Sequence, residues 1–193
     1  MKIFLKIIVL MVTMFTAMSC GKHRTASVSD FQFEVIGSGV KITRYTGNGE
    51  GGKLVIPGKI NGMPVTVIGR GAFVDNKTLV SVTIPDSVIE IEDGSWQSST
   101  GAFYGSSISS VKLSKNLKKI GDCAFLFCQN LTSINIPNSV TEIGARAFQG
   151  CTNLSSVTIP ASITKIGSSA FAVCNSLSVE SRRAIQASGY NFD

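Results

Sequence analysis

The chain carries the string LTSINIPNSVTEIGARAF at residues 131–148, and variants of it fill most of the 193 residues. The first part recurs as LVSVTIPDSVIEI from Leu79, ISSVKLSKNLKKI from Ile108 and LSSVTIPASITKI from Leu154. The last part recurs as IGRGAF at 68–73, IGDCAF at 120–125 and IGSSAF at 166–171. A further copy is interrupted at residues 93–101, DGSWQSSTG, before its closing Ala102-Phe103. The chain is therefore built from one repeated unit.

The spacing of apolar residues within the unit predicts one coil of a solenoid. Successive phenylalanines Phe125, Phe148 and Phe171 lie 23 residues apart, inside the range typical of leucine-rich repeats. Ile134 and Ile136 should point inward from a short strand, because alternate strand residues face opposite sides. Pro137 ends the strand, since it lacks an N–H. Five coils should then stack their side chains in register, with Phe73, Phe103, Phe125, Phe148 and Phe171 forming one buried column.

The repeated strings resemble the BspA-like subclass of leucine-rich repeats, found in bacterial surface lipoproteins. The Ile-Pro and Ile-Gly-x-x-Ala-Phe pairs carry the resemblance, which covers about residues 54–177. Ser114 in place of the proline and the insertion at 93–101 depart from the pattern. The resemblance implies a binding protein with an adhesive role toward host matrix proteins or other cells.

Both open ends of such a stack need a cap. Residues 31–36 and 40–45 alternate around Gly37-Ser38-Gly39, which predicts a β-hairpin within an N-terminal cap at 31–53. Residues 178–193 should form a C-terminal cap with a helix at 179–188. Ser178 is its expected N-cap and Gly189 its stop.

The first residues are typical of an export signal. Lys2 and Lys6 precede an apolar run that is too short to span a bilayer, which predicts a signal peptide at 1–19. Ala17-Met18-Ser19-Cys20 resembles a bacterial lipoprotein box, which implies acylation of Cys20 and a flexible tether at 20–30. An ordinary secretory signal or an uncleaved anchor are the alternatives. We expect an exported, membrane-anchored protein, at the cell surface or outer membrane rather than facing the periplasm.

The residue inventory argues against catalysis. The one histidine, His23, lies in the tether, so no nucleophile and base can be assembled in the repeats. Glu90, Glu142 and Asp86 recur near one face and leave a glycan-active enzyme as a remote alternative. We expect no cofactor and no metal, and the scattered charges do not favour nucleic acid.

Three cysteines should form a column, because Cys128, Cys151 and Cys174 each stand three residues after a repeat phenylalanine. Cys123 lies nearby. Export permits a disulfide. Buried thiols, one disulfide and a metal site remain possible readings, although paired C-x-x-C spacing is lacking.

The outward strand positions form the candidate binding face. They are Ser81, Thr83, Ser110, Lys112, Ser133, Asn135, Ser156 and Thr158, with Trp96 of the insertion expected at the margin. A regular polar face suits an extended protein or glycan partner rather than a small buried substrate. Trp96 is either a binding hot spot or a cover for the neighbouring coil. A periplasmic envelope scaffold or sorting protein is the alternative to a surface adhesin.

Overall fold

Each coil of the solenoid has three sides, two built on short strands and one on turns. The structure is a computed structural model that describes residues 26–47, 49 and 51–192. The first side carries β3 (Lys53–Val55), β6 (Ser81–Thr83), β8 (Ser110–Lys112), β10 (Ser133–Asn135) and β12 (Ser156–Thr158). The second side carries β5 (Met63–Ile68), β7 (Glu90–Ile91), β9 (Lys119–Ile120), β11 (Glu142–Ile143) and β13 (Lys165–Ile166). The third side comprises the turns at 71–77, 101–107, 123–129, 146–152 and 169–175.

Before and beside these coils lie β1 (Phe31–Ile36), β2 (Gly39–Tyr45) and β4 (Lys59–Ile60), and after them the helix α1 (Val179–Ala187). On the second side, β2, β5, β7, β9, β11 and β13 pair in parallel, and β1 adds an antiparallel edge. On the first side, the parallel ladder is divided between β3-β6-β8 and β10-β12. Thr132 N still donates to Ser109 O at 3.2 Å across that division. The predicted leucine-rich-repeat solenoid is confirmed.

A column of aromatic rings runs through the core behind the third side. The five repeat phenylalanines stack with centroid separations of 4.7, 5.0, 5.2 and 5.2 Å and interplanar angles of 10° or less. Tyr45 and Phe31 extend the column at the N-terminal end. Tyr190 and Phe192 extend it at the C-terminal end with edge-on contacts. The predicted column is thus longer than the repeats, because both caps contribute rings.

The N-terminal hairpin lays β2 beside β5 and so covers the first coil. Its turn lies at Gly37-Ser38, with Gly37 at φ 57°, and β2 already begins at Gly39. Ordered structure starts before Phe31, the expected first residue of the fold. Val28–Asp30 form a short 3-10 turn whose Asp30 carboxylate accepts from Ser27 N, and Ala26 packs against the core. These contacts attach the last residues of the predicted tether to the domain.

The C-terminal helix closes the first side through a serine. Ser178 is the N-cap and accepts from Ser181 N at 3.1 Å. Buried Ser181 then imitates a further strand, because its hydroxyl accepts from Val157 N at 3.0 Å and donates to Ser155 O at 3.3 Å. Gly189 ends the helix at φ 90°. The predicted hairpin and helical caps are confirmed.

Candidate functional site

The predicted strand face lies on the first side of the solenoid as two parallel columns. Parallel pairing sets Ser81 beside Ser110 and Ser133 beside Ser156, while Thr83 lies beside Lys112 and Asn135 beside Thr158. The six side chains from β8, β10 and β12 are exposed, and the two from β6 are half-buried. Between the columns, Val82, Ile134 and Val157 point inward and are buried. The alternation of the strand therefore fixes which side chains meet solvent.

The first coil adds two side chains that were not among those predicted. Lys53 pairs with Ser81 and Val55 with Thr83, so both columns begin one coil earlier. Both residues are exposed. The signal was present in the sequence, because Leu54-Val55-Ile56-Pro57 aligns with Val82-Thr83-Ile84-Pro85.

A third column stiffens the border of the strand face. Ser109, Thr132 and Ser155 precede their strands, and each hydroxyl donates to the carbonyl of the coil before. The three donor–acceptor distances lie between 3.1 and 3.3 Å. These hydroxyls are therefore engaged with the backbone. The columns of Ser133 and Asn135 are the ones that present free surface to a partner.

Charges on the second side alternate in sign from coil to coil. The register sets Glu90 beside Lys119, Lys119 beside Glu142, and Glu142 beside Lys165. Lys119 Nζ lies 2.5 Å from Asp93 Oδ2, and Lys165 Nζ lies 2.7 Å from Glu142 Oε1.

This alternation separates the carboxylates that could have acted as a glycosidase pair. Each acid faces a lysine rather than another acid, and Asp86 forms its own ion pair with Lys115 at 2.9 Å. A general acid needs a carboxyl whose pKa is raised. The Lys115 ion pair instead lowers the pKa of Asp86. The arrangement offers no acid and base facing each other.

Trp96 contacts side chains of the third side. Its ring lies 5.9 Å from that of Phe127 at 56°, and the Arg146 guanidinium lies 5.9 Å from its centroid. The tryptophan remains 44% exposed. Trp96 thus covers part of the neighbouring coil, which is one of the two expectations, and it also presents one face to solvent; its role as a binding hot spot stays a prediction.

The cysteine column consists of thiols, each bonded to the coil before it. Sγ of Cys128, Cys151 and Cys174 donates to the carbonyls of Phe103, Phe125 and Phe148 at 3.0 to 3.1 Å. Burial raises the pKa of the Cys128 and Cys174 thiols to about 12. Cys123 is also free and buried. Of the three alternatives, which were buried thiols, one disulfide or a metal site, the structure contains buried thiols.

Within residues 26–47, 49 and 51–192, no cluster of three or more His, Cys, Asp or Glu side chains is placed to hold a metal ion. No helix in the same ranges has the length and hydropathy needed to cross a membrane. Cys20 and His23 lie outside the described residues.

Comparison with known proteins agrees with this geometry. A family model described as BspA type leucine rich repeat region (6 copies) matches residues 97–185. A leucine-rich repeat protein from Bacteroides capillosus is 32% identical with a TM-score of 0.52, and the match covers 75% of this chain and 97% of that one. The chain belongs to the BspA-type leucine-rich-repeat family.

Two other solved structures are similar to this chain. The leucine rich repeat protein of T. pallidum is 25% identical with a TM-score of 0.54, and the match covers 87% of this chain and 97% of that chain. A leucine rich cell surface protein from Faecalibacterium prausnitzii is 28% identical with a TM-score of 0.50, over 83% of this chain and 55% of that one. Comparison with curated protein sequences gives no significant match.

The BspA-type repeat accounts for the regular part of the strand face but not for the insertion at 93–101. Gly94 N donates to Asp122 O at 2.8 Å, and the turn at 95–100 is closed by Thr100 N donating to Ser95 O at 3.1 Å. The insertion is therefore an ordered turn that holds Trp96 over the next coil. Its contacts with Phe127 join residues far apart in the sequence, which repeat spacing alone did not predict.

Proposed function

We propose that this BspA-type protein binds another macromolecule, a protein or a glycan on a host matrix or another cell, through the strand face on its first side. The observation that carries the proposal is the exposure of two largely polar columns on a buried apolar floor, most complete on β8, β10 and β12. A rigid strand surface of small hydroxyl and amide side chains loses little conformational entropy when a partner binds. No enzymatic step is needed for this role.

The face has the chemistry of an interaction surface. Lys53 and Lys112 are its charged side chains, and the remaining exposed positions of the columns are Ser, Thr, Asn and Val. Hydrogen-bonding groups recur at the coil spacing, so an extended partner can meet several coils in register. A small buried substrate would need a concave apolar pocket, which this exposed face lacks.

The proposal includes export and anchoring. Residues 1–19 serve as the signal peptide, Cys20 carries the lipid and residues 20–30 form the tether. The cap at 31–53, the repeats at 54–177 and the cap at 178–193 then form the binding domain outside the membrane. A cell-surface position is supported by the Faecalibacterium relative, which is described as a leucine rich cell surface protein.

The binding face is tested with the full chain bearing Ser133→Glu and Asn135→Lys. Both side chains point into solvent, so the double variant should keep the melting temperature of the native chain. It should no longer capture the partner that the native chain binds from an extract of host matrix. A matched control places the same charges elsewhere, as Ser168→Glu with Gln186→Lys, both exposed. Equal capture by native chain and strand-face variant would refute the proposal.

The anchor and the orientation need separate measurements. Cells fed a clickable fatty acid should label the native chain, and Cys20→Ala should abolish the label. Protease added to intact cells should digest a surface domain. Protection of the domain until the envelope is opened would favour the periplasmic scaffold instead.

A further inference from the structure

A groove of about 420 Å³ opens on the third side, away from the strand face. It exists because Gly105 has no side chain at a repeat position where both adjacent coils carry one. Asp75 and Phe127 occupy the same position in the adjacent coils and form the two walls. A Cβ added at Gly105 would approach Asp75 Oδ1 to 2.5 Å, so any side chain there would occupy the groove.

One wall of the groove is formed by Phe127 and Tyr104. Trp96 packs on Phe127 without lining the groove itself, and the three rings together are called the aromatic shelf. Phe127 lies between the other two, with ring separations of 5.9 Å to each. Its backbone has φ 58°, a left-handed conformation that favours glycine. The neighbouring coils have glycine at that position, Gly105 and Gly150. All five coils have positive φ at this position, so the conformation belongs to the turn of the repeat and the ring of Phe127 is the feature that differs.

Gly150 leaves the space in which the Phe127 ring lies. A Cβ at Gly150 would come within 2.3 Å of the Phe127 ring. The insertion then places Trp96 against the same ring. Three separate segments of the chain therefore combine to hold one half-exposed aromatic surface beside the groove.

The opposite wall and the rim are polar. Lys77 Nζ lies 3.3 Å from Asp75 Oδ1 and also donates to Gly105 O. Asn130 Nδ2 donates to Ser107 O at 3.4 Å, and Gln129 is exposed at the rim. The groove thus combines aromatic rings with amide, carboxylate and ammonium groups. The charge of Asp75 is balanced by that of Lys77.

We propose that this groove is a second binding site, which takes a neutral oligosaccharide. The C–H-rich face of a pyranose ring packs on an aromatic ring, and its hydroxyls pair with amides and carboxylates at the edge. The Asp75–Lys77 ion pair leaves little net charge, which disfavours an acidic sugar. The site is separate from the strand face and does not depend on it.

The lining favours a sugar over a peptide. Tyr104 and Phe127 are the large apolar side chains at the groove, and no aliphatic side chain lines it. A peptide anchor is typically an apolar side chain buried in an apolar pocket. The third side here also offers turns rather than a free strand edge to pair with a peptide backbone.

Trp96 gives a direct readout, because it is the one tryptophan in the sequence. The full chain in detergent is titrated with neutral oligosaccharides of hexose and N-acetylhexosamine units, and with extended uncharged peptides as competitors. At least one oligosaccharide should change the Trp96 emission saturably and be retained on the immobilised protein. The strand-face variant Ser133→Glu with Asn135→Lys should bind it equally well.

Two variants test the groove without disrupting the coil. Phe127→Gly introduces the glycine that both adjacent coils have at this position and removes the aromatic wall. Gly105→Asn fills the groove with a residue that tolerates positive φ. Each should weaken saccharide retention at least about tenfold with the fold intact by circular dichroism. Val173→Gly, the same repeat position in the last coil, is the matched control and should bind normally.

Three results would overturn the proposal. One is that no oligosaccharide of the panel binds the protein saturably. Another is that Phe127→Gly and Gly105→Asn both retain the saccharide as well as the native chain does. The third is a peptide that binds at the shelf and changes the Trp96 emission where no saccharide does.

Discussion

At the scale of single residues, the fold depends on side chains that each coil repeats at the same depth. Phe148 is fully buried and lies between Phe125 and Phe171 at 5.2 Å from each. Other residues are held in conformations that suit the coil rather than their own chemistry. Val173 has φ 60° although it is β-branched and 54% exposed. Truncation of the buried Phe148 should therefore lower the stability of the protein, whereas replacement of the exposed Val173 by glycine should raise it.

Phe148→Ala should lower the free energy of unfolding by about 3–5 kcal/mol, because it leaves a cavity in the ring column. Denaturant unfolding followed by circular dichroism measures the change. Phe192→Ala, at the half-buried end of the same column, should cost clearly less. A loss below about 1 kcal/mol for Phe148→Ala would contradict its place in the core.

Val173→Gly should raise the free energy of unfolding by about 1 kcal/mol. Glycine adopts positive φ without steric cost, and that gain exceeds its extra entropy in the unfolded chain at a site that buries little. Thermal unfolding measures the effect. Val173→Ala serves as the control, because alanine keeps the Cβ and hence most of the strain. A variant with glycine that melts below the alanine variant would contradict this account.

At the scale of elements, charge holds successive coils in register on the second side. Burial opposes ionisation of Asp93, but the Lys119 ammonium and the Asp122 N–H outweigh it and hold the pKa of Asp93 below its usual value. Asp122 Oδ1 in turn accepts from Ala145 N at 2.6 Å. A chain of aspartates thus links three coils. The contribution of the Asp93 ion pair is present above the pKa of an unfolded aspartate, about 3.9, and is lost as pH falls through the folded pKa of Asp93.

Asp93→Asn should destabilise the protein at pH 7, by up to about 1 kcal/mol because the pair is partly solvated. The difference from the native chain should shrink below about pH 4, where the native Asp93 also becomes protonated. Urea unfolding at a series of pH values measures it. Asp75→Asn, whose ion pair with Lys77 is well exposed, is the control with little expected effect. A difference that stays constant down to pH 2 would exclude the ion pair as its cause.

At the scale of the whole molecule, the coils and caps form one continuous core. The buried cluster runs from Phe31 in the hairpin to Tyr190 after the helix. Cys128, Cys151 and Cys174 belong to this cluster, Cys123 is buried as well, and burial raises the pKa of each of the four thiols. A thiol reagent needs the thiolate and access to it. Modification should therefore require opening of the domain.

A Cys20→Ala chain should show no rapidly reacting thiol with an aromatic disulfide reagent at pH 8. In guanidinium chloride, the four cysteines of the repeats should react within the mixing time. The rates at intermediate denaturant should follow the unfolding curve measured by circular dichroism. One cysteine that reacts quickly in the native protein would show that its coil opens locally.

The sequence by itself determined the coil, its period, the inward phenylalanines and the outward pairs such as Ser133 and Asn135. These features follow from local alternation and repetition, so each copy confirms the next. Only the tertiary structure decided the groove at Gly105, the contact of Trp96 with Phe127, the Ser181 hydroxyl that replaces a missing strand, and the rings that the caps add to the column. Each of these joins residues in different coils or caps at positions where the repeat is broken. The physical reason is that a repeat predicts contacts between equivalent residues, whereas contacts between unlike residues depend on how the packed chain fills space.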